Sequence, residues 1–194
     1  MVRDLLYNGY ILMKNLGRYF LLIAFIFIMP LLTYFVFGAS DSLVKIPQEK
    51  VVYNLPYPGL LPDSPLYITK IIRDRITDFL TRDNLKKAEL YLLYSDKRAA
   101  MSLFLARKGK NQLAIDTFTK GEKYFLKIPN LLTSAKKQGN QAPSNFIQIL
   151  KLSNAKHKEL IEELIKVLPQ GLNQSLILLT DLNQQVKNGI ESLP

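Results

Sequence analysis

The sequence predicts an all-α protein, in which one N-terminal transmembrane helix precedes a soluble antiparallel bundle or array of about five helices. Two observations predict this class: a run of nineteen uncharged residues near the N-terminus, and apolar residues at three- and four-residue spacing over most of the remaining chain. A length of 194 residues leaves room for the membrane segment and one compact domain. With 48% hydrophobic residues, that domain can bury a core of useful size.

The apolar run covers residues 19–37 and contains no Asp, Glu, Lys or Arg. At about 1.5 Å per residue, a helix of this length spans about 28 Å, close to the roughly 30 Å hydrocarbon core of a bilayer. We therefore expect these residues to contact membrane lipid as a signal-anchor, with a kink at Pro30.

A cleaved signal peptide is the alternative interpretation of the same run, because basic residues precede it and the small residues 38–40 follow it. The apolar region of a signal peptide is usually about 7–15 residues long, which is shorter than this run. Cleavage after Ala39 would also place bulky Phe37 where signal peptidase prefers a small side chain. The sequence favours an uncleaved anchor and leaves cleavage on either side of Ala39 open.

The basic residues beside the apolar run predict its orientation. Arg3, Lys14 and Arg18 precede the run, and two basic residues lie in the thirteen residues after it. Charges close to the membrane influence orientation more than charges on a long domain do. We expect residues 1–18 to be a cytoplasmic tail and the C-terminal domain to be extracytoplasmic, in a single-pass protein of the cell membrane.

Residues 38–62 contain four prolines and no helical spacing, which predicts an extended stalk. Within it, Val51–Tyr53 favours a short strand. Residues 63–194 are expected to form the extracytoplasmic helical domain.

Five helices are predicted in this domain, and a continuation or a short separate helix follows the third. The expected ranges are about 64–81, 85–108, 111–128, 145–168 and 171–193, with the continuation or short helix at 130–137. Ser64 followed by Pro65 is a helix-start signal, because the hydroxyl can accept an N–H bond and the ring suits the first helical position. The apolar face of the first helix is expected to comprise Leu66, Thr69, Ile72, Ile76, Phe79 and Leu80. The apolar faces of the later helices are expected to include Ala99 and Leu103 on the second, Phe118 on the third, Phe146, Leu150 and Leu160 on the fourth, and Leu179 on the last.

The segment YPGLLPDSPLYITK at 57–70, with KAEL at 87–90 and DKR at 96–98, resembles a bacterial family of domains of unknown function. Members of that family place a PGxxPDSPxYxxK motif before two antiparallel helices, usually behind one membrane anchor. The resemblance implies location and fold, and it implies no chemistry. The residues of this structural motif are Pro62, Asp63, Ser64, Pro65, Tyr67, Lys70, Glu89, Asp96 and Arg98.

A second resemblance is to one tetratricopeptide unit, carried by residues 108–110 with Ala114, Phe118 and Gly121. No second copy follows at a period of about 34 residues, and about three copies are needed for a stable solenoid. Ordinary packing of a helix hairpin is favoured, and a tetratricopeptide-like adaptor is the alternative.

Sequence features that would carry chemistry are few. Cysteine is absent, which excludes disulfides, thiolate metal sites and cysteine nucleophiles, and neither a phosphate-binding glycine loop nor an HExxH motif occurs. His157 is the only histidine and lies on an apolar stripe, so we expect a hydrogen-bonded core histidine; a pH-responsive role is the alternative. Glu159, Glu162 and Glu163 alternate with lysines, as on a solvated helix face. We expect no enzyme activity, no cofactor and no metal site.

An antiparallel hairpin that turns near Asp83 would bring Lys70 opposite Asp96. We therefore expect an ion pair between these two residues, with a role in alignment more than in stability; two separate exposed charges are the alternative.

Basic residues are concentrated in residues 70–137, which contain sixteen Lys and Arg against seven Asp and Glu, whereas residues 138–194 are balanced at five against five. This face is expected either to be a solvated surface or to bind anionic envelope polymer or lipid. No aromatic-interleaved motif accompanies the charge, so no nucleic acid is expected. The candidate interaction surface comprises Arg73, Lys86, Lys87, Arg107, Lys108 and Lys110.

The leading functional hypothesis is a non-catalytic, membrane-anchored module with a structural or protein-interaction role and an unknown protein or envelope partner. A binder of anionic polymer or lipid is the second hypothesis. Asn183 lies on the apolar seam of the last helix, which allows specified helix pairing within one chain or in a homo-oligomer.

Overall fold

A computed structural model describes residues 51–193 of the protein. The chain divides into two compact units, Met1–Asp41 and Ser42–Pro194, and the first unit lies outside the described residues. The predicted tail, the predicted transmembrane run 19–37 and the first part of the predicted stalk also lie outside them. Within residues 51–193, no helix has both the length and the hydropathy that crossing a bilayer requires.

The described part of the chain is all-helical, which confirms the predicted class for these residues. Its elements are α1 (Tyr67–Leu80), α2 (Asn84–Arg107), α3 (Asn111–Phe125), α4 (Ile128–Lys137), α5 (Ser144–Val167), a 3-10 turn (Gln170–Leu172) and α6 (Asn173–Glu191). The continuation or short helix expected after the third helix is the separate helix α4. Residues 51–54 have no regular secondary structure, so the predicted short strand is not formed.

Helix α2 is the central element, and it packs against α3, α4 and α5, while α6 packs against α3 and α5. The predicted inward faces of these helices are confirmed: Ala99 and Leu103 of α2 lie in one buried cluster with Phe118, Leu160 and Leu179. A second buried cluster continues the core toward α4. It comprises Ala88, Tyr91, Leu92, Tyr94, Phe125, Ile128, Leu132, Phe146, Leu150, Val186 and Ile190.

Gly121 lies where α2 and α3 approach each other closely. A Cβ atom at this position would lie 3.1 Å from Arg98 Cβ and 3.1 Å from the Ser95 carbonyl oxygen. Because that is tighter than ordinary van der Waals contact, only glycine allows this spacing without a shift of α2. The turn between the two helices uses Gly109, whose φ of +73° favours glycine.

The start of α1 differs from the predicted one. The helix begins at Tyr67 with Leu66 as N-cap and without a side-chain cap. Residues before it form a turn, in which Ser64 N donates to the Leu61 carbonyl at 3.0 Å and the Ser64 carbonyl accepts from Tyr67 N at 3.0 Å. The prediction of Ser64 as a capping side chain was therefore wrong, because the Ser64 backbone is used in this turn instead.

Helix α1 turns its polar side, and not its apolar side, to the rest of the domain. Its inward face buries Lys70 and Asp74, and its apolar side chains face outward. The exposed set comprises Leu66 (61%), Ile68 (63%), Ile72 (53%), Ile76 (54%), Phe79 (69%) and Leu80 (66%). The polar residues of α1, and not its apolar side chains, make the hydrogen bonds that hold the helix to its neighbours.

Residues 51–63, which we call the proline-rich segment, pack against the helical domain. Leu55 is fully buried in the first core cluster, and Tyr53 packs against the same cluster. The segment lacks regular helix, as expected for a proline-rich stretch. The last part of the predicted stalk is thus attached to the domain that follows it.

Candidate functional site

A buried ionic network at the centre of the bundle contains the only histidine of the chain. His157 extends from α5 to a carboxylate on each of two helices: Nδ1 lies 2.6 Å from Glu122 Oε1 on α3, and Nε2 lies 3.0 Å from Asp96 Oδ1 on α2. His157 and Glu122 are fully buried, and Asp96 is 3% exposed. The expectation of a hydrogen-bonded core histidine is confirmed.

Hydroxyl groups complete the environment of Asp96. Ser153 Oγ donates to Asp96 Oδ1 at 2.6 Å, and the Tyr53 hydroxyl donates to Asp96 Oδ2 at 2.6 Å. Burial and the nearby Asp96 charge raise the pKa of Tyr53, so its hydroxyl keeps the proton that it donates. The network therefore joins α2 and α5 to the proline-rich segment.

The other carboxylate is linked to α6. Asn183 Nδ2 donates to Glu122 Oε2 at 3.5 Å and to the Asn154 carbonyl at 3.3 Å, and Asn154 Nδ2 donates to the Asn183 carbonyl at 3.1 Å. Asn183 thus pairs α6 with α3 and α5 of the same chain. Helix pairing within one chain, one of the two possibilities that the position of Asn183 on the seam allowed, is therefore present.

The charge of His157 follows from its surroundings. Burial lowers its pKa, but the carboxylates of Glu122 and Asp96 outweigh burial and raise that pKa to about 9. At neutral pH the ring is therefore an imidazolium that donates from both nitrogens. The rings of Phe118 and Phe125 meet it edge to face, at 5.4 Å and 5.5 Å between centroids.

This geometry leaves no group of the network free for acid–base work. Both imidazole nitrogens are occupied, and Ser153 Oγ points to Asp96 and makes its hydrogen bond there. Ser153 and His157 are fully buried, so no substrate atom can approach them in this conformation. The arrangement can hold helices in register, because breaking a buried hydrogen-bonded ion pair leaves an unpaired charge in the core.

A second buried cation, Lys70, lies between α1 and the proline-rich segment. Its Nζ donates to the Pro58 carbonyl at 2.9 Å and lies 4.0 Å from Met101 Sδ. Burial lowers the pKa of Lys70 to about 7, and the charge of Asp74 opposes that shift. The expected Lys70–Asp96 ion pair was wrong: the α1 side of α2 carries Tyr94, whose hydroxyl donates to the Asp74 carbonyl, whereas Asp96 lies on the opposite side of the helix.

The remaining motif residues divide between packing and surface. Arg98 lies over the ring of Tyr124 at 4.5 Å and donates to the Tyr94 carbonyl at 3.0 Å. Asp63 accepts from Lys108 Nζ at 3.1 Å and from Lys110 Nζ at 3.0 Å, and these two hydrogen bonds lower the pKa of Asp63. Pro62, Ser64 and Tyr67 are half-buried, whereas Pro65 and Glu89 are exposed.

The predicted basic surface is partly neutralised within the domain. Besides Lys108 and Lys110, Arg73 pairs with Asp74 at 2.8 Å, and Lys87 pairs with Asp78 at 3.3 Å. Lys86 and Arg107 are exposed. Four of the six candidate cations are therefore paired with carboxylates of the domain itself.

A shallow cleft of about 360 Å³ lies at the ends of α2 and α4, where Lys87 and Lys127 flank Tyr91. The Nζ atoms of these lysines lie 6.0 Å and 5.7 Å from the centroid of the Tyr91 ring. Within residues 51–193, no three His, Cys, Asp or Glu residues are placed to hold a metal ion.

Sequence reasoning missed several members of the network, Glu122 and Tyr53 among them. Glu122 is fully buried although it is charged, and its place between Phe118 and Phe125 on the apolar face of α3 was the available signal. Tyr53 lies in a segment without periodicity, and no signal in the sequence indicated its bond to Asp96.

These observations define the class of the protein as an all-helical domain with a buried ionic network and one helix that turns its apolar side outward. The chain belongs to a family described as a domain of unknown function, DUF5667, whose model matches residues 59–193. The segment at 57–70 indicated membership of a family of unknown function, and this match confirms such membership. No curated protein and no solved structure matches the chain.

Proposed function

We propose that the protein is a non-catalytic helical module, anchored in the cell membrane by residues 19–37, with its helical domain on the extracytoplasmic side. It acts by presenting a surface to a partner. The observation that carries this proposal is the distribution of side chains between core and surface. The acid, base and hydroxyl groups around His157 are buried and satisfy each other, whereas large apolar side chains of α1 face solvent.

The buried network supports a structural role for the core. Charged groups in a protein interior are costly unless they are paired and hydrogen-bonded, and a satisfied network specifies one arrangement of the elements around it. Asp96, Glu122 and His157 come from three different helices, so they define how α2, α3 and α5 sit together. A pKa of about 9 also keeps His157 charged between pH 5 and 8, which argues against a physiological pH switch.

The exposed face of α1 supports an interaction role for the surface. Six large apolar side chains, each more than half exposed, form one contiguous set along this helix. Apolar patches of more than a few hundred Å² on a protein surface usually mark contacts with another molecule.

The proposed placement in the membrane is tested on the full chain in intact cells. Because the chain contains no cysteine, a single cysteine at Gln185, an exposed position on α6, can report which side of the membrane the domain occupies. We expect a membrane-impermeant maleimide to label it without lysis, and we expect the protein to stay in the membrane pellet after alkaline carbonate. Labelling only after lysis, or extraction by carbonate, would overturn the proposal.

A second candidate function is binding of an anionic envelope polymer, and the cleft beside Tyr91 favours it. Lys87 and Lys127 place two positive charges at one depression. Binding of a polyanion there is expected to weaken with salt. The variant Lys127→Gln should bind wall polymer more weakly than the wild type, whereas Lys151→Gln, at an exposed position of α5, should not. Equal binding by both variants would remove this candidate.

A further inference from the structure

We propose that the outward face of α1 lies on the surface of an anionic lipid bilayer, so that the helix is a second, interfacial contact of the protein with the membrane. This proposal rests on the proposed membrane anchoring, and it names lipid as the molecule that covers the outward face of α1. We call the exposed set Leu66, Ile68, Ile72, Ile76, Phe79 and Leu80 the α1 outer face.

The geometry of α1 is that of an amphipathic helix with its polar side turned to the protein. Ile68, Ile72, Ile76 and Phe79 follow one another at spacings of four, four and three residues, so they form one stripe along the helix. On the inner side, Lys70 and Asp74 are held by the Pro58 carbonyl, Arg73 and Tyr94. These bonds fix the rotation of the helix, and α1 cannot turn its apolar side to the core without breaking them.

Basic residues border the outer face on both edges. Arg75 is exposed on one edge. Arg82, which follows the end of α1, is exposed beside Phe79, with its guanidinium 5.3 Å from the centroid of the Phe79 ring. Arg73, which pairs with Asp74, is on the other edge with 29% of its side chain exposed. An apolar stripe between arginines matches the interface of an anionic bilayer, where apolar side chains enter the acyl boundary and guanidinium groups meet phosphates.

The charge pattern also disfavours a second copy of the chain as the occupant. A twofold pairing of two outer faces brings the arginine edges of both copies together, because each edge carries at least one arginine. Like charges that face each other across a contact are destabilising, whereas lipid phosphates are attracted to both edges.

The length of chain before the described residues is compatible with this contact. Thirteen residues, 38–50, separate the apolar run from Val51. Even fully extended, they reach about 45 Å. An anchored chain therefore keeps the domain close to the bilayer, where a weak interfacial contact is favoured by the high local concentration of lipid.

The test uses the full-length protein in vesicles and a pair of matched label positions. Thr69 is exposed beside the outer face, and its hydroxyl donates to the Leu66 carbonyl. Thr180 on α6 is also exposed, and its hydroxyl donates to the Leu176 carbonyl. Each is replaced by cysteine in turn and labelled with an environment-sensitive fluorophore, and the vesicles contain phosphatidylcholine with or without phosphatidylglycerol and a nitroxide-labelled lipid as quencher.

In anionic vesicles, we expect lipid-borne nitroxide to quench the label at 69 at least fivefold more than the label at 180, with a blue shift of its emission. The quenching should fall to the level of position 180 in Ile72→Ser/Ile76→Ser and should weaken in Arg75→Gln/Arg82→Gln. The matched variant Ile177→Ser/Leu178→Ser, which removes exposed apolar side chains from α6, should leave it unchanged.

Equal quenching at 69 and 180 in anionic vesicles would overturn the inference. Protection of the label at 69 that rises with protein density and is independent of lipid charge would also overturn it, and would identify a second copy as the occupant. Carbonate extraction of the same vesicles separates the two proposals: a protein that stays embedded while position 69 remains in water refutes the interfacial contact and retains the anchor.

Discussion

Raising the pH from 6 to 9 should remove most of the stability that the fold gains from protonated His157. Its pKa is about 9 in the folded chain, against an ordinary value of 6.5. A group whose pKa is raised on folding stabilises the folded state fully below its unfolded pKa, and this contribution is lost as the pH rises through the folded pKa. The stabilisation from the imidazolium is therefore complete below about pH 6.5 and largely gone above about pH 9.

The size of the effect follows from the two pKa values. Each pKa unit corresponds to about 1.4 kcal/mol, so the shift of His157 amounts to about 3 kcal/mol of unfolding free energy. The charged groups that face the ring are Asp96 from α2 and Glu122 from α3, and Ser153 of α5 donates to Asp96. His157 is fully buried, so solvent screening does not reduce this contribution.

Lys70 changes stability in the opposite direction over the same pH range. Burial lowers its pKa to about 7 from 10.5, so the unfolded chain binds a proton that the folded chain does not hold. The pH dependence of the wild-type unfolding free energy therefore contains two contributions of opposite sign, one from His157 and one from Lys70. The difference between the wild type and His157→Gln isolates the histidine, because Lys70 is present in both proteins.

The assay is urea unfolding of both proteins in mild detergent, followed by circular dichroism, at pH 6 and pH 9. We expect the unfolding free energy of the wild type, relative to that of His157→Gln, to fall by about 3 kcal/mol from pH 6 to pH 9. Proton NMR of the wild type gives a second measurement, because the single histidine should titrate with a midpoint near 9. If the difference in unfolding free energy between the two proteins stays constant over this pH range and the NMR midpoint lies near 6.5, the reasoning is refuted.

Three further substitutions test the core, with unfolding free energy as the measurement. Glu122→Gln removes one partner of the buried imidazolium and should cost about 3 kcal/mol, whereas Glu162→Gln on the exposed face of α5 should change stability by less than about 0.5 kcal/mol. Equal effects would contradict the ionic role of Glu122. Gly121→Ala should cost about 1–3 kcal/mol because its Cβ meets α2 at 3.1 Å, and Gly171→Ala, with open space around it, should be close to neutral. A neutral Gly121→Ala would mean that α2 and α3 separate easily. Tyr53→Phe leaves Asp96 Oδ2 without its hydroxyl donor and should cost about 1–3 kcal/mol; an unchanged stability would mean that the proline-rich segment does not hold the network.

Apolar spacing predicted the helices of the core and their inward faces. On α5 the spacing placed Phe146, Leu150 and Leu160 on one side, and the structure buries all three. The reason is that a long helix with neighbours on one side must bury its apolar stripe there. Spacing on α2 likewise selected Ala99 and Leu103 correctly.

On α1, spacing shows which residues share a face and not what that face meets. Ile72 and Ile76 do share a face, but the neighbours of α1 offer the Pro58 carbonyl and the Tyr94 hydroxyl, which select its polar side. The register of the hairpin was wrong for a related reason. A turn position sets which residues are level with each other, whereas the rotation of α2 decides that Asp96 faces away from α1.

Part of the ionic network was predictable and part was not. His157 on an apolar stripe indicated a buried hydrogen-bonded histidine, since a polar residue in a core needs partners. Its partners lie 35 and 61 residues away along the chain, so only the packing of α2, α3 and α5 brings them together.

The attachment of the proline-rich segment determines how the domain responds to tension along the chain. A pull from the N-terminal side reaches Tyr53 and Leu55 before it reaches α1, and these residues are bound at the middle of the bundle. The load is therefore shared by Asp96 and the surrounding core before it reaches α1. A domain tethered in this way resists mechanical unravelling with its most deeply buried contacts.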